Sequence, residues 1–314
     1  MITAKFDYRS PKDVREAIRL HQEFEGKAVY LGGGTDLIPR LKLGLQKPRA
    51  VIDLKRVRTL TEIADDGEWV RIGALVHIFN LSQNEIVAGY FPALKDSLEA
   101  TSCESLQMRG TVGGNLLQDT RCLFYNQSEF WRKSKGFCLK MGGKSCNAVP
   151  GAKGCFANYS SDNATALCTL SALIELAGTD GTRRLPLEDV YSGKAEKPFT
   201  LYEGEVLTAV LIPKKKSRGG YEKLGLRGAI DYPLLGLAFS VVDGTGKLAV
   251  GAVGPKPFVS EVTQPFQETI EKAIEPVLGQ LRLTANTVLD PAYRKRMIPV
   301  LARRLLKEVM GEVK

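Results

Sequence analysis

The chain has no apolar run near the roughly 20 residues needed to cross a bilayer as a helix. Its opening stretch, MITAKFDYRSPKD, has no apolar core of a secretory signal. Neither a membrane nor an exported address is therefore expected, and a cytoplasmic location follows. Histidine is scarce, with only His21 and His77 in 314 residues. Two isolated histidines argue against a Ser-His-Asp triad or a histidine-based zinc hydrolase. His21 sits in a polar helical stretch and is expected to be solvated. His77, in IGALVHIFN, is expected near a ligand or in a core or loop role. Neither a G-x-G-x-x-G fingerprint nor a Walker A loop occurs, so Rossmann and P-loop readings fail. Close C-x2-C pairs are also missing.

What is present is ordinary in bulk: 44% hydrophobic and 25% charged residues, enough for two or three packed units. The net charge of +9 could suggest nucleic acid, but the basic residues are scattered and no binding motif accompanies them. No nucleic-acid partner is expected; an acidic protein partner or an anionic substrate accounts for the charge equally well. Six cysteines without a signal read as ligands or buried thiols rather than a disulfide framework.

Strand-like runs ending in glycine turns alternate with helical patterns, which places the chain in the α+β or α/β class. KAVYLGG, AVIDL and WVRIGA read as strands, and helical periods cover Ser10 to Glu25 and Pro92 to Ala100. KKKSRGG, Lys214 to Gly220, reads as a linker or solvated turn. Beyond it we expect three strands and two or three helices. One of these is amphipathic over Thr263 to Leu278, and another is opened by Asp290-Pro291 and runs to about Met310.

Two glycine turns carry the binding signal. LGGGTDL, Leu31 to Leu37, follows a strand, and TVGGNL, Thr111 to Leu116, repeats the recipe. Glycines let backbone N–H groups approach an anion closely, Thr35 and Thr111 add hydroxyls, and Asp36 can accept from a sugar hydroxyl. Two such nests suit the two phosphates of a dinucleotide.

The pair LGGGTDL and RGTVGGNL resembles the flavin-binding signature of the medium subunits of xanthine dehydrogenase and aerobic carbon monoxide dehydrogenase. IGALVHI, GEVLTAVLIP, YEKLGLRGAIDYPLLGLAFSV, GAVGPKP and AYRKRMIPVLARRLL extend the resemblance over most of the chain outside residues 120–158. It implies an α+β fold: a two-subdomain FAD-binding domain of the vanillyl-alcohol-oxidase type over 1–214, then a smaller α/β domain over 215–314. It also implies FAD as cofactor, with Tyr30, Leu31, Gly32, Gly33, Gly34, Thr35, Asp36 and Leu37 at the first turn. At the second turn it implies Thr111, Gly113, Gly114, Asn115 and Leu117. Asp162 and Tyr232 are placed near the flavin. Partner chains carrying a molybdenum cofactor and [2Fe–2S] clusters, in an (αβγ)2 assembly, come from the resemblance alone.

Residues 120–158 differ in character, with seven Lys/Arg against the single acid Glu129, five glycines and four cysteines. Cys122, Cys138, Cys146 and Cys155 are spaced C-x15-C-x7-C-x8-C. Such a loop buries little by itself and needs an internal tether. Four thiolates suit tetrahedral zinc or an iron–sulfur cluster, and the spacing names neither. Cys103 and Cys168 are expected to be buried thiols. The insert resembles that of 4-hydroxybenzoyl-CoA reductase medium subunits. This resemblance implies a [4Fe–4S] cluster on Cys122, Cys138, Cys146 and Cys155, ferredoxin as electron donor, and reductive removal of a phenolic hydroxyl from an aryl-CoA. Lys133, Lys135 and Lys140 would then present a positive face to the ferredoxin. The alternatives are an ordinary hydroxylase medium subunit whose loop binds zinc or nothing, and a non-catalytic assembly module.

Overall fold

A computed structural model describes residues 5–281 and 283–311. Three sheets organise the described residues. A small parallel sheet has the order Asp7–Arg9, Ala50–Asp53, Ala28–Leu31. A five-stranded antiparallel sheet has the order Ile63–Asp65, Trp69–Gly73, Val206–Pro213, Leu173–Gly178, Gly181–Pro186. A four-stranded antiparallel sheet runs Phe258–Val262, Thr245–Gly251, Leu235–Val242, Ser217–Leu224. Among the described residues no helix is long and apolar enough to cross a membrane.

The parallel sheet packs against the helix Val14–Glu23 through Ala17, Ile18, Ala50 and Ile52. That helix begins later than the sequence pattern indicates, because the Asp13 carboxylate caps the Glu16 N–H at 2.8 Å. His21 is buried rather than solvated: its ring lies 5.2 Å from that of Tyr30, and burial lowers its pKa. The largest core joins the five-stranded sheet to the helices Pro92–Glu99 and Asp162–Thr169. Tyr221, Ala238 and Ala249 of the four-stranded sheet enter that same core.

The C-terminal sheet has four strands, one more than expected, because Phe258–Val262 pairs with Thr245–Gly251. The KKKSRGG segment is mostly not a linker, since Ser217 onward is already strand. Asp243-Gly244 closes the adjoining hairpin with both residues at positive φ, +48° and +80°. This is the twist an Asp-Gly turn supplies. Two helices, Phe266–Gln280 and Pro291–Met310, cover this sheet. Asp290 caps the second of them from one residue before its proline, as expected.

Candidate cofactor site and cysteine insert

The first glycine turn leaves the carboxyl end of the strand Ala28–Leu31, and Gly34 takes φ +80°. The second is a single helical turn, Val112–Leu116, whose Gly114 N–H donates to the Thr111 hydroxyl at 3.1 Å. The two pack backbone to backbone. A Cβ on Gly33 would stand 1.8 Å from the Arg109 carbonyl oxygen, and one on Gly113 would stand 2.9 Å from Ala74. A Cβ on Gly32 would meet the Thr111 hydroxyl at 3.0 Å. Glycine is therefore required here by close approach as well as by turn geometry.

Two cavities flank this contact, of about 240 Å³ and about 230 Å³, and both are lined by Thr35, Asp36, Thr111 and Gly114. They form one bent groove with the glycine turns at its elbow. The first arm holds Tyr30, Gly32, Gly33, Gly34, Leu37, Gly113 and Leu117, together with Arg40 and Gln46. The second holds Asn115, Asp162 and Tyr232. Of the residues expected at the cofactor, Leu31 lines neither arm. Its side chain faces the core with Leu41 and Val51, as strand alternation from Tyr30 requires. His77 lines neither arm; it precedes the helix Ile78–Ser82 and bridges to Thr111 through backbone.

The electrostatics of the two arms differ. Asp162 is buried, accepts from the Tyr221 hydroxyl at 2.8 Å and lies 3.2 Å from the Lys223 ammonium. Burial outweighs both partners and pushes its pKa up to about 6. Asn115 is engaged with the Ser161 hydroxyl, and Tyr232 lies under the Arg121 guanidinium at 3.8 Å. At the elbow, burial raises the pKa of Asp36 although Arg40 and Arg121 stand 3.6 and 3.4 Å away. Arg40 also donates to Asp119 at 2.7 Å. Sequence reasoning missed Arg40, Gln46 and Asp119. Arg40 was within reach of it, being four residues after Asp36 on the helix Leu37–Lys42.

The cysteine insert is tied down by polar contacts rather than an apolar core. Its neck closes where Arg121 and Asn158 exchange backbone hydrogen bonds of 2.7 and 2.8 Å. Arg132, fully buried on the helix Glu129–Lys135, donates to the carbonyls of Leu43, Gly44 and Gln127. Lys140 is not part of a positive surface. Its ammonium is buried and donates to Asp119 at 2.5 Å, to the Ala195 carbonyl at 2.7 Å and to the Thr120 hydroxyl. Lys133 and Lys135 are exposed.

The four insert cysteines are free thiols, Cys138 and Cys146 buried and Cys122 and Cys155 half-buried. Burial raises the Cys122 pKa, and so do the neighbouring Cys146 and Cys138. Burial pushes Cys155 up to about 11, with Cys146 and Cys122 adding to the rise. Cys122 thus lies within electrostatic reach of Cys138, Cys146 and Cys155. Among the described residues, no group of three or more His, Cys, Asp or Glu is tight enough to hold a single metal ion. Cys168 is buried as expected. Cys103 is half-exposed, because it precedes the short helix Glu104–Gln107 instead of lying within it.

Residues 4–215 match the family described as FAD binding domain in molybdopterin dehydrogenase. The FAD-binding subunit of an aldehyde oxidoreductase from Escherichia coli is 28% identical, over 98% of both chains. The carbon monoxide dehydrogenase medium chain of Afipia carboxidovorans is 26% identical over the full length of both. The nicotinate dehydrogenase FAD subunit of Eubacterium barkeri is 23% identical over 98% of this chain and 97% of its own. In fold, the chain is similar to a reconstituted carbon monoxide dehydrogenase from Oligotropha carboxidovorans, with a TM-score of 0.78 at 24% identity over 99% of both chains. Quinoline 2-oxidoreductase from Pseudomonas putida gives 0.76 at 23% over the whole of both. The expected α+β architecture, an FAD-binding domain followed by a smaller C-terminal domain, agrees with these structures.

Proposed function

This chain belongs to the family of FAD-binding domains in molybdopterin dehydrogenases, and from that premise we propose that it is the electron-transfer medium subunit of a molybdenum-dependent oxidoreductase. The observation that carries the reading is the bent groove, with glycine backbone exposed at its elbow where a pyrophosphate would lie. The two arms then take the two halves of FAD, and Asn115, Asp162 and Tyr232 lie along the flavin. FAD, when bound, supplies exchange between one- and two-electron carriers. The chain's own residues bind and orient it and keep water from it. The FAD-binding domain spans 1–214 and the C-terminal domain 215–314, and the partners are a molybdenum-cofactor chain and a [2Fe–2S] chain.

The finer reading gives the insert a [4Fe–4S] cluster on Cys122, Cys138, Cys146 and Cys155, an acidic ferredoxin as donor, and reductive dehydroxylation of an aryl-CoA on the partner chain. Its support is the donor set: four free thiols in one insert, of which Cys122 and Cys155 have their ionisation disfavoured by burial and by neighbouring thiols, which a metal core would relieve. A single zinc would draw its sulfurs to within about 4 Å of each other, given zinc–sulfur bonds of roughly 2.3 Å. The names of the relatives, an aldehyde oxidoreductase and carbon monoxide and nicotinate dehydrogenases, favour the second reading, a hydroxylase with electrons flowing outward.

Metal, acid-labile sulfide and flavin per chain after anaerobic purification decide between them. About four irons with one FAD, the iron lost in Cys138→Ser, supports the cluster. One zinc or no metal with one FAD leaves the hydroxylase medium subunit.

A further inference from the structure

Among the described residues, Arg40 is the one cation lining either arm of the groove. Its side chain is 11% exposed, and its guanidinium is only partly used. One terminal nitrogen donates to Asp119 at 2.7 Å, the other lies 3.6 Å from Asp36, and the buried Nε–H has no partner. A buried donor without an acceptor is costly, so a group that satisfies it on binding gains affinity. The surrounding charges do not balance either. Arg40, Arg121 and Lys140 face Asp36 and Asp119, three cations against two carboxylates. The cluster is one positive charge in excess, beside the glycine elbow.

We propose that Arg40 is the residue that neutralises the pyrophosphate of the bound dinucleotide, with Asp119 and Lys140 as positioning residues that fix its guanidinium. This deepens the FAD reading and rests on it. Asp119 is the anchor: it accepts from Arg40, from the Tyr125 hydroxyl at 2.9 Å and from Lys140. Lys140 shares the Asp119 charge, so Arg40 is held by Asp119 without being fully neutralised by it. The free Nε–H and the surplus charge are then taken by phosphate oxygens, for which a guanidinium fork is well shaped. Because Lys140 belongs to the cysteine insert, the insert contributes to cofactor retention without touching the cofactor.

The test is FAD affinity of the full-length chain after flavin removal, at low and high salt, with ADP and adenosine as competing probes. Arg40→Gln is expected to weaken FAD about tenfold to a hundredfold and to flatten its salt dependence. ADP, which carries the pyrophosphate, loses affinity in parallel, while adenosine does not. Arg40→Lys keeps the charge and hence the salt dependence, and recovers only part of the affinity; it also serves if Arg40→Gln does not fold. Asp119→Asn weakens FAD and ADP while adenosine is unchanged. A folded Arg40→Gln with unchanged FAD affinity and salt dependence would overturn the proposal, as would equal losses for ADP and adenosine. A wild-type chain that binds no FAD sinks the FAD reading itself, a result distinct from either.

Discussion

The glycine elbow and the cysteine insert adjoin, yet they are held by opposite means. At the elbow, the backbone of Arg109 and of Ala74 already occupies the space that a Cβ on Gly33 or on Gly113 would need. In the insert, buried Arg132 and Lys140 reach out to carbonyls and carboxylates of the surrounding domain. The first arrangement leaves no room for a side chain at Gly33 or Gly113. The second depends on desolvated cations, which cost much when any partner is removed. One region sets two glycine turns against each other with no side chain between them, and the other holds a loop that lacks an apolar core of its own.

The largest expected effect tests the rigid half. Gly33→Ala places a methyl on the Arg109 carbonyl and should cost about 3 kcal/mol or more, with bound flavin lost. Gly154→Ala in the insert meets nothing within 4 Å and should stay within about 0.5 kcal/mol. Thermal unfolding of the two variants side by side measures the contrast, and equal losses would erase it.

Next comes the insert's anchor. Arg132→Met leaves the carbonyls of Leu43, Gly44 and Gln127 without their donor, a loss of about 2–3 kcal/mol confined to the insert. Limited proteolysis should then cut within residues 120–158 while FAD content is retained. If flavin leaves at the same protease exposure, insert and elbow unfold as one unit.

A pH effect follows from Asp162, whose pKa is raised to about 6. Between the ordinary aspartate value and about 6, the folded protein holds a proton that the unfolded chain has released. Its contribution to stability is therefore complete in acid and is lost as pH rises through about 6. Asp162→Asn should remove this slope, and should also remove any change in flavin absorbance with a midpoint near pH 6. A wild-type titration flat from pH 4 to 7 would refute the assignment.

The smallest effect is at the surface. Reversing Lys133 and Lys135 to glutamate should alter stability by no more than about 0.5 kcal/mol. Under the ferredoxin reading it should also flatten the salt dependence of reduction by an acidic ferredoxin. An unchanged stopped-flow rate across ionic strengths would remove the insert helix from the docking face.

The sequence made the elbow legible because glycine is a local statement: Gly32 to Gly34 and Gly113-Gly114 announce close backbone approach without reference to distant residues. It also showed four thiols within 34 residues, and the fold brings Cys138, Cys146 and Cys155 within electrostatic reach of Cys122, although among the described residues no group is tight enough to hold one metal ion. The cap at Asp290 was equally plain, for a capping carboxylate acts within three residues. Burial of charge was not legible. Lys140 lies in a lysine-rich, glycine-rich stretch that looks solvated, and its partners Asp119 and Ala195 are 21 and 55 residues away. Arg40 meets Asp119 across 79 residues. His21 was misplaced for the same reason, since the ring that covers it belongs to a different element.

By itself, then, the sequence determined where backbone must come close and where Asp290 caps a helix, because these depend on a few consecutive residues. Tertiary structure alone decided which charges are desolvated and paired, because an ion's environment is set by chain segments that only folding brings together. That is why the groove's glycines could be named in advance, and the pairing of Arg40 with Asp119 across 79 residues could not.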